Sequence, residues 1–278
     1  MLRNLQDMIV VITGASAGIG KALAKALSRR GAKLVLAARR EKRLESLNAS
    51  LGGGHLTVVT DVANREDCQR LIERALQQFG RIDTLVCNAG YGYYRLVQNT
   101  TPDDVRKIFA TNVFGTTDCI AAAMPHLLDQ PLRDNYRAQV MIVSSAAARR
   151  TPPYLGVYGA TKAAQLSIAE AMRVELRPKG IAVTSVHPIM TATEFARVAR
   201  AGGDVNIPRS GMSQTVEQVV SAMVSAIERP RAEVWPHRMS RWGLGLATLA
   251  PGIADRALHR YLRRVAAVNQ GTSSDQAQ

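Results

Sequence analysis

Apolar residues fall along this chain in two alternating rhythms: short unbroken runs, and longer stretches carrying a single apolar stripe. Met8 to Ile12 is a run of strand length, Gly18 to Arg30 places Ile19, Leu23, Ala26 and Leu27 at helical spacing, and Lys33 to Ala37 is a second strand. The alternation continues with a charged helix from Glu41 to Leu51, a strand from Leu56 to Val59, an amphipathic helix from Arg65 to Gln78 and a strand from Thr84 to Cys87. Pro102 to Leu128 reads as one long helix, with Thr101 as its N-cap, Pro102 in the first helical position and Asp103 and Asp104 suiting the positive helix end. Strands from Val140 to Val143 and from Ala182 to Val186 flank a helix from Val157 to Arg177, which Pro178 and Gly180 stop. A helix from Thr215 to Glu228 precedes a seventh, edge strand from Glu233 to Trp235. Strands that alternate with helices and are apolar throughout are covered on both faces. The expected fold is therefore α/β, a single doubly wound parallel sheet of about seven strands with helices on both faces.

Two segments break the rhythm. Ile189 to Gln214, with Gly202, Gly203 and Pro208, reads as a loop longer than ordinary connections, and such loops serve as lids or binding loops. After Trp235 come the apolar stretch Trp242 to Leu249 and an arginine-rich stretch from Ala257 to Arg264. The expected organisation is a doubly wound α/β domain over 1–235, an amphipathic basic extension over 236–268 and a polar, disordered tail over 269–278.

Composition narrows the partners. Aliphatic residues make up most of a 46% hydrophobic fraction that is only 5% aromatic, enough for a large core. The formal charge is +14, and Arg229 to Arg264 holds eight arginines against Glu233 and Asp255. Basic residues interleaved with apolar ones, without zinc-finger spacing or aromatic RNA-binding signatures, favour a membrane surface over nucleic acid. Trp242 to Leu249 is far shorter than the roughly 20 residues of a spanning helix, so peripheral contact is the expectation, beside the alternatives of a cap over the substrate cleft or a subunit interface. Cys68, Cys87 and Cys119 are odd in number and scattered, which suggests neither a disulfide framework nor a metal site. Met8 to Ile12 is too short for a signal sequence, so a reducing, cytoplasmic location is expected, with contact to the inner membrane face as the peripheral option.

Tyr158 and Lys162 carry the chemistry. Four residues apart on a helix, phenol and ammonium share a face, and a cation there favours the phenolate below the free value of about 10. The same spacing also occurs on solvated helix faces. Ser145, thirteen residues upstream, and a glycine-rich turn, Thr13-Gly-Ala-Ser-Ala-Gly-Ile-Gly20, change the balance. That turn follows a strand and opens a helix, where glycine backbone and free N–H groups receive a pyrophosphate. The second strand ends in Ala38, Arg39 and Arg40 without a carboxylate for the ribose of NAD. Arg39 can instead pair with a 2′-phosphate, so NADP(H) is the preferred cofactor, with NAD(H) also possible.

Together these motifs resemble the short-chain dehydrogenase/reductase family from about Met8 to about Trp235. The resemblance implies a Rossmann-type fold and hydride transfer between a carbonyl and an alcohol. It implies catalytic roles for Asn112, Ser145, Tyr158 and Lys162. Ser145 would hydrogen-bond the substrate oxygen, Tyr158 would pass the proton, Lys162 would hold the nicotinamide ribose, and Asn112 would hold a water linking Lys162 to solvent. The implied cofactor residues are Gly14, Ser16, Ala17, Gly18, Ile19, Gly20, Arg39, Arg40, Asp61, Val62, Asn88, Ala89, Gly90, Tyr158, Lys162, Pro188 and Thr193. Asp61 and Val62 would contact adenine, Asn88 to Gly90 would brace the sheet beside the cofactor, and Pro188 and Thr193 would embrace the nicotinamide.

The chain departs from the family pattern at Cys87, at Ala147-Ala148 and at Ile189, which replaces a glycine next to the nicotinamide. By family position, Tyr91, Tyr93, Tyr94, Tyr154 and Phe195 surround an apolar substrate mouth. The expected substrate is a lipophilic ketone, aldehyde or alcohol, steroid-like or fatty-acyl. A 3-oxoacyl-thioester reductase, a nucleotide-binding regulator without turnover and a nucleic-acid binder remain as rivals. The resemblance also implies a homodimer or homotetramer.

Overall fold

β1 (Ile9–Thr13) is buried along its whole length because both of its faces meet apolar layers. The computed structural model describes residues 2–191, 193–205, 207 and 213–275, with side chains through 266. α1 (Gly18–Ser28), β2 (Lys33–Ala38), α2 (Glu41–Ser50), β3 (Leu56–Val59), α3 (Arg65–Phe79) and β4 (Thr84–Cys87) form the first half. α4 (Pro102–Phe109), a π-turn (Ala110–Phe114), α5 (Gly115–Asp129), β5 (Ala138–Val143), α6 (Gly156–Leu176) and β6 (Ile181–Val186) follow. The chain continues through β7 (Met190–Thr191), α7 (Glu194–Ala201), β8 (Ser213–Gln214), α8 (Val216–Glu228), β9 (Glu233–Val234), α9 (Arg238–Leu249) and α10 (Pro251–Asp275).

Seven parallel strands lie in the order β3-β2-β1-β4-β5-β6-β9, with the crossover between β1 and β4 marking where the winding reverses. The two-residue side-chain period of a strand splits the core in two. Met8, Val10 and Ile12 face α1, α2 and α8, while Val11 and Val35 face α3, α5 and α6. At the crossover the carboxyl ends of neighbouring strands leave a crevice, the usual ligand site of such sheets.

The structure differs from the sequence expectation in three places. The helix expected from Pro102 to Leu128 begins with the anticipated Thr101 cap, here a full capping box with Asp104, but a π-turn interrupts it at Ala110–Phe114. The stretch read as a loop from Ile189 to Gln214 contains the short strands β7 and β8 and the eight-residue helix α7, which Thr193 caps. α10 continues as helix to Asp275, into the stretch from Asn269 expected to lack order. Residues 276–278 lie outside the described residues.

Candidate active site

The glycine turn connects β1 to α1 with Gly14 and Gly18 at φ +68° and +54°, backbone that other residues adopt only with strain. Close packing adds a second demand for glycine, since a Cβ on Gly14 would lie 2.9 Å from the Ala89 Cα and one on Gly20 would lie 2.6 Å from the Gly14 carbonyl. Asn88 secures this turn from the end of β4, donating through Nδ2 to the Thr13 carbonyl at 2.8 Å. Thr13 Oγ1 receives the Asn88 and Ala89 amides at 3.0 Å each, a role the sequence reading missed.

Arg39 and Arg40 stand at the end of β2. Arg39 is 72% exposed and lies 3.8 Å from Asp61, so its guanidinium is available to a ligand. Arg40 reaches Ser16 Oγ through Nε and Nη2 at 3.2 and 2.9 Å, and Glu194 through Nη1 at 3.1 Å. Arg43 Nη1 donates to both oxygens of the same carboxylate, at 3.0 and 2.9 Å. Sequence gave no sign of Glu194, because it meets these arginines across more than 150 positions.

β5 and α6 supply the other end. Ser145 follows β5, and its Oγ donates to the Pro188 carbonyl at 3.3 Å while accepting from the Ala147 amide at 3.1 Å. Ala146 N also donates to Pro188 O at 2.9 Å, tying the serine to the end of β6. Tyr158 is buried beside it. Burial pushes the phenol up to about 12, and the neighbouring Ser145 hydroxyl works the other way.

Lys162 Nζ donates to Val143 O and to Gln165 Oε1, each at 2.9 Å, and burial brings it down to about 7. Burial thus works against the sequence expectation of a phenolate favoured by its neighbour. The ammonium sits 5.7 Å from the Tyr158 ring centre, directed at the carbonyl and the amide, and desolvation governs both groups.

Asn112 lies in the π-turn, fully buried. Its Oδ1 accepts from the Tyr91 amide at 3.0 Å, and its Nδ2 donates to Tyr91 O and Thr161 Oγ1 at 2.9 and 3.0 Å. Its backbone carbonyl accepts from Gln165 Nε2 at 2.6 Å and Thr116 Oγ1 at 2.9 Å. Protein donors thus engage the Asn112 carbonyl twice, while Oδ1 accepts one of the two bonds it can take. A Cβ on Gly90 would lie 3.1 Å from Asn112 Oδ1 and 3.5 Å from Lys162 Nζ, so the small residue leaves this corner open.

One cleft of about 820 Å³ takes in these pieces: Gly14, Ser16 to Ile19, Arg39, Arg40, Asp61, Val62, Asn88 to Gly90, Ser145, Tyr158, Lys162, Pro188 and Thr193. Gly20 and Asn112 stand behind its wall and support it. Ile189 lies in the wall with ordinary backbone, outside the left-handed conformations that would demand glycine. Thr193 faces Gly18, where an added Cβ would lie 3.4 Å from its own.

The far end of the cleft is apolar, walled by Tyr91, Tyr94, Phe195 and Val198 and, from the C-terminal extension, Met239, Leu244 and Leu258. Tyr93 and Tyr154 are instead buried behind it, Tyr93 against Ile108 and Tyr158, Tyr154 with Tyr94 and Val265. Arg149 pairs with Glu170 and Glu233, and Arg150 with Asp255, which fastens α10 to the loop after Ser145. Glycine backbone and arginines at one end and an ammonium and phenol at the other fit a dinucleotide laid across the strand ends.

Comparison with known proteins agrees with this geometry. Residues 8–204 match the family described as short chain dehydrogenase. An 11-beta-hydroxysteroid dehydrogenase-like protein of Arabidopsis thaliana is 31% identical over 92% of this chain and 82% of its own length. A glycine betaine reductase of Emericella nidulans is 34% identical over 81% of this chain, which spans only 18% of that longer protein. Among solved structures, a short chain dehydrogenase/reductase from Burkholderia phymatum in complex with NAD superposes with a TM-score of 0.79 at 26% identity, covering 90% of this chain and 96% of that one. Sequence, fold and cleft agree, and the chain belongs to the short-chain dehydrogenase family, as an oxidoreductase of that family.

Proposed function

We propose that the chain interconverts a carbonyl and an alcohol on a lipophilic small molecule, with NADP(H) preferred over NAD(H). The observation that carries this reading is that Ser145, Tyr158 and Lys162 line one cleft together with the glycine turn and an apolar wall. The nicotinamide, when bound, supplies or accepts the hydride. In reduction, negative charge grows on the substrate oxygen, so the Ser145 hydroxyl stabilises the transition state more than the ground state. The Tyr158 phenol gives its proton to that oxygen, and the Lys162 ammonium stabilises the phenolate left behind. A phenol held near 12 keeps its proton until an alkoxide develops.

Cofactor preference rests on Arg39 and Arg40, which follow β2 where a carboxylate would otherwise receive the ribose of NAD. Substrate class rests on the aromatic and aliphatic wall, and a relative named for a hydroxysteroid accords with it. A 3-oxoacyl-thioester reductase is the narrower alternative with the same reacting groups. Exposed Phe114 and Val174, in the π-turn and on α6, support a homodimer or homotetramer. Met239, Trp242, Leu246 and Leu249 are exposed on α9 beside Arg238 and Arg241, which supports peripheral membrane contact. Among the described residues no helix is long and apolar enough to cross a membrane.

A panel of hydrophobic ketones and aldehydes with NADPH, followed by loss of nicotinamide absorbance, tests the reading. Turnover in the wild type and its loss in Tyr158→Phe, with cofactor binding retained, is the expected result. Undiminished turnover in Tyr158→Phe overturns it.

A further inference from the structure

Tyr158, Lys162 and Gln165 occupy positions i, i+4 and i+7 of α6, a spacing that stacks them on one helical face. Gln165 is fully buried, and its hydrogen-bonding groups are engaged from three sides. Oε1 accepts from Lys162 Nζ at 2.9 Å, while Nε2 donates to Asn112 O at 2.6 Å and to Thr116 Oγ1 at 2.8 Å. These partners fix which way the amide points. A flipped amide would set its NH2 against the ammonium and its carbonyl against that of Asn112, so Oε1 must face Lys162. A buried amide is costly unless its bonds are made, and an apolar side chain of similar size would meet the packing need alone.

We propose that Gln165 is a positioning residue for hydride transfer, its Oε1 aiming and stabilising the Lys162 ammonium from the π-turn side. The inference rests on the reading of Lys162 as one of the reacting groups. Burial alone lowers Lys162, so what retains its charge is a set of neutral acceptors. The titratable neighbour is Tyr158 on the same helix. β5 brings the uncharged Val143 O to the ammonium, and the π-turn reaches it through Gln165, whose Nε2 is held by the uncharged Asn112 O. With the lysine brought down to about 7, losing one acceptor is felt near neutral pH.

Gln165→Leu and Gln165→Glu separate aiming from packing. In reduction, turnover falls as pH rises through the loss of the Lys162 proton. Leucine removes an acceptor and should move that falling limb to lower pH. Glutamate adds a negative charge and should move it to higher pH, each by on the order of one unit.

Ligand-free unfolding gives an independent readout. A lysine whose folded value lies below its unfolded one makes stability rise with pH between the two, because the unfolded chain binds the proton there. Lys162→Met identifies that component by deleting it. The component should begin at lower pH in Gln165→Leu and shrink in Gln165→Glu. Should the leucine variant fail to fold, Gln165→Met carries the same expectation.

Opposite displacements support the inference. Displacements of the same sign, or none in folded variants, overturn it. Full turnover in Tyr158→Phe would instead sink the reading of the site, whereas an inactive Tyr158→Phe with unmoved limbs defeats the role of Gln165 alone.

Discussion

Arg40 donates to Ser16 Oγ in the phosphate turn with two nitrogens and to the Glu194 carboxylate with a third, so one guanidinium joins the turn to the start of α7. With Arg43 on the same carboxylate, Glu194 acts toward these arginines as an anion does. On the proposed NADP(H) preference, it would compete with the ribose 2′-phosphate for Arg40. Glu194→Gln should tighten NADPH by about two- to fivefold, the scale of an exposed ion pair, and leave NADH nearly unchanged. Fluorescence titration of both cofactors at low salt checks this. An unaltered ratio of affinities would remove Arg40 from the phosphate site.

Gly20 has no room for a methyl group. Its Cβ would lie 2.6 Å from both Asn88 Nδ2 and the Gly14 carbonyl, and the second contact is backbone that cannot step aside cheaply. Gly20→Ala is expected to cost about 1–3 kcal/mol in urea unfolding, as overpacking does. Because the displaced atoms belong to the turn, nucleotide affinity should fall in the same variant. Stability lost with affinity unchanged would separate the turn from nucleotide binding.

His187 should make the protein sensitive to acid. Its Nδ1 faces the Ser145 carbonyl at 3.3 Å, which can only accept, so this nitrogen carries the proton and Nε2 accepts from Ser185 Oγ at 3.0 Å. The ring is buried and stacked on Trp235 at 4.4 Å, and desolvation lowers its pKa. The sign follows from proton binding: below about pH 6.5 the unfolded chain takes up a proton that the folded ring resists, so stability falls as pH drops. Burial works to raise the Glu233 pKa, but the Trp235 N–H, His187 and Arg149 together hold it low, so protonating that carboxylate adds a loss of the same sign further down. His187→Gln should flatten the loss just below pH 6.5 and keep the lower one. An unchanged profile between pH 7.5 and 4.5 would mean that His187 contributes nothing.

Anionic vesicles test the extension. Trp242 and Leu249 are 71% and 82% exposed, with Arg238 and Arg241 on the same helix. Co-sedimentation with phosphatidylserine-containing vesicles at low salt is expected to weaken with added salt and to be lost in Trp242→Ser/Leu246→Ser. Equal binding to neutral vesicles would argue against the arginines, and no binding at all against the membrane contact.

The sheet was legible because each strand is an apolar run that a helix must cover on either side, and β1, β2, β5 and β6 begin and end within one or two residues of the expected positions. That Ser145, Tyr158 and Lys162 share one cleft was legible because their spacing along the chain ties the end of β5 to α6. The π-turn left no mark, since an added residue changes helical phase and not composition. α7 was hidden for a different reason: Gly202, Gly203 and Pro208 read as loop, although Phe195, Val198 and Ala199 form an apolar stripe before them. The direction of Lys162 depends on Val143 and Gln165, and burial outweighs the phenol and ammonium spacing on which the sequence reading relied.

The π-turn also sets what this stretch of chain can lose. Before it, α4 gives Ile108 to the cluster around Tyr93 and Tyr158; after it, α5 gives Cys119, Ile120, Ala123 and Leu127 to the sheet. Each helical residue advances the side-chain direction by about 100°. Five residues at the wider π pitch turn through less than five α-helical residues would, by about one residue's advance of roughly 100°, so deleting one residue between Ala110 and Phe114 should restore an ordinary helix with the apolar side of α5 still on the sheet. What such a deletion would take away is the wide turn itself, where the Asn112 carbonyl accepts from Gln165 Nε2 and Thr116 Oγ1: the surplus residue serves the pocket wall locally and leaves the core its helical face.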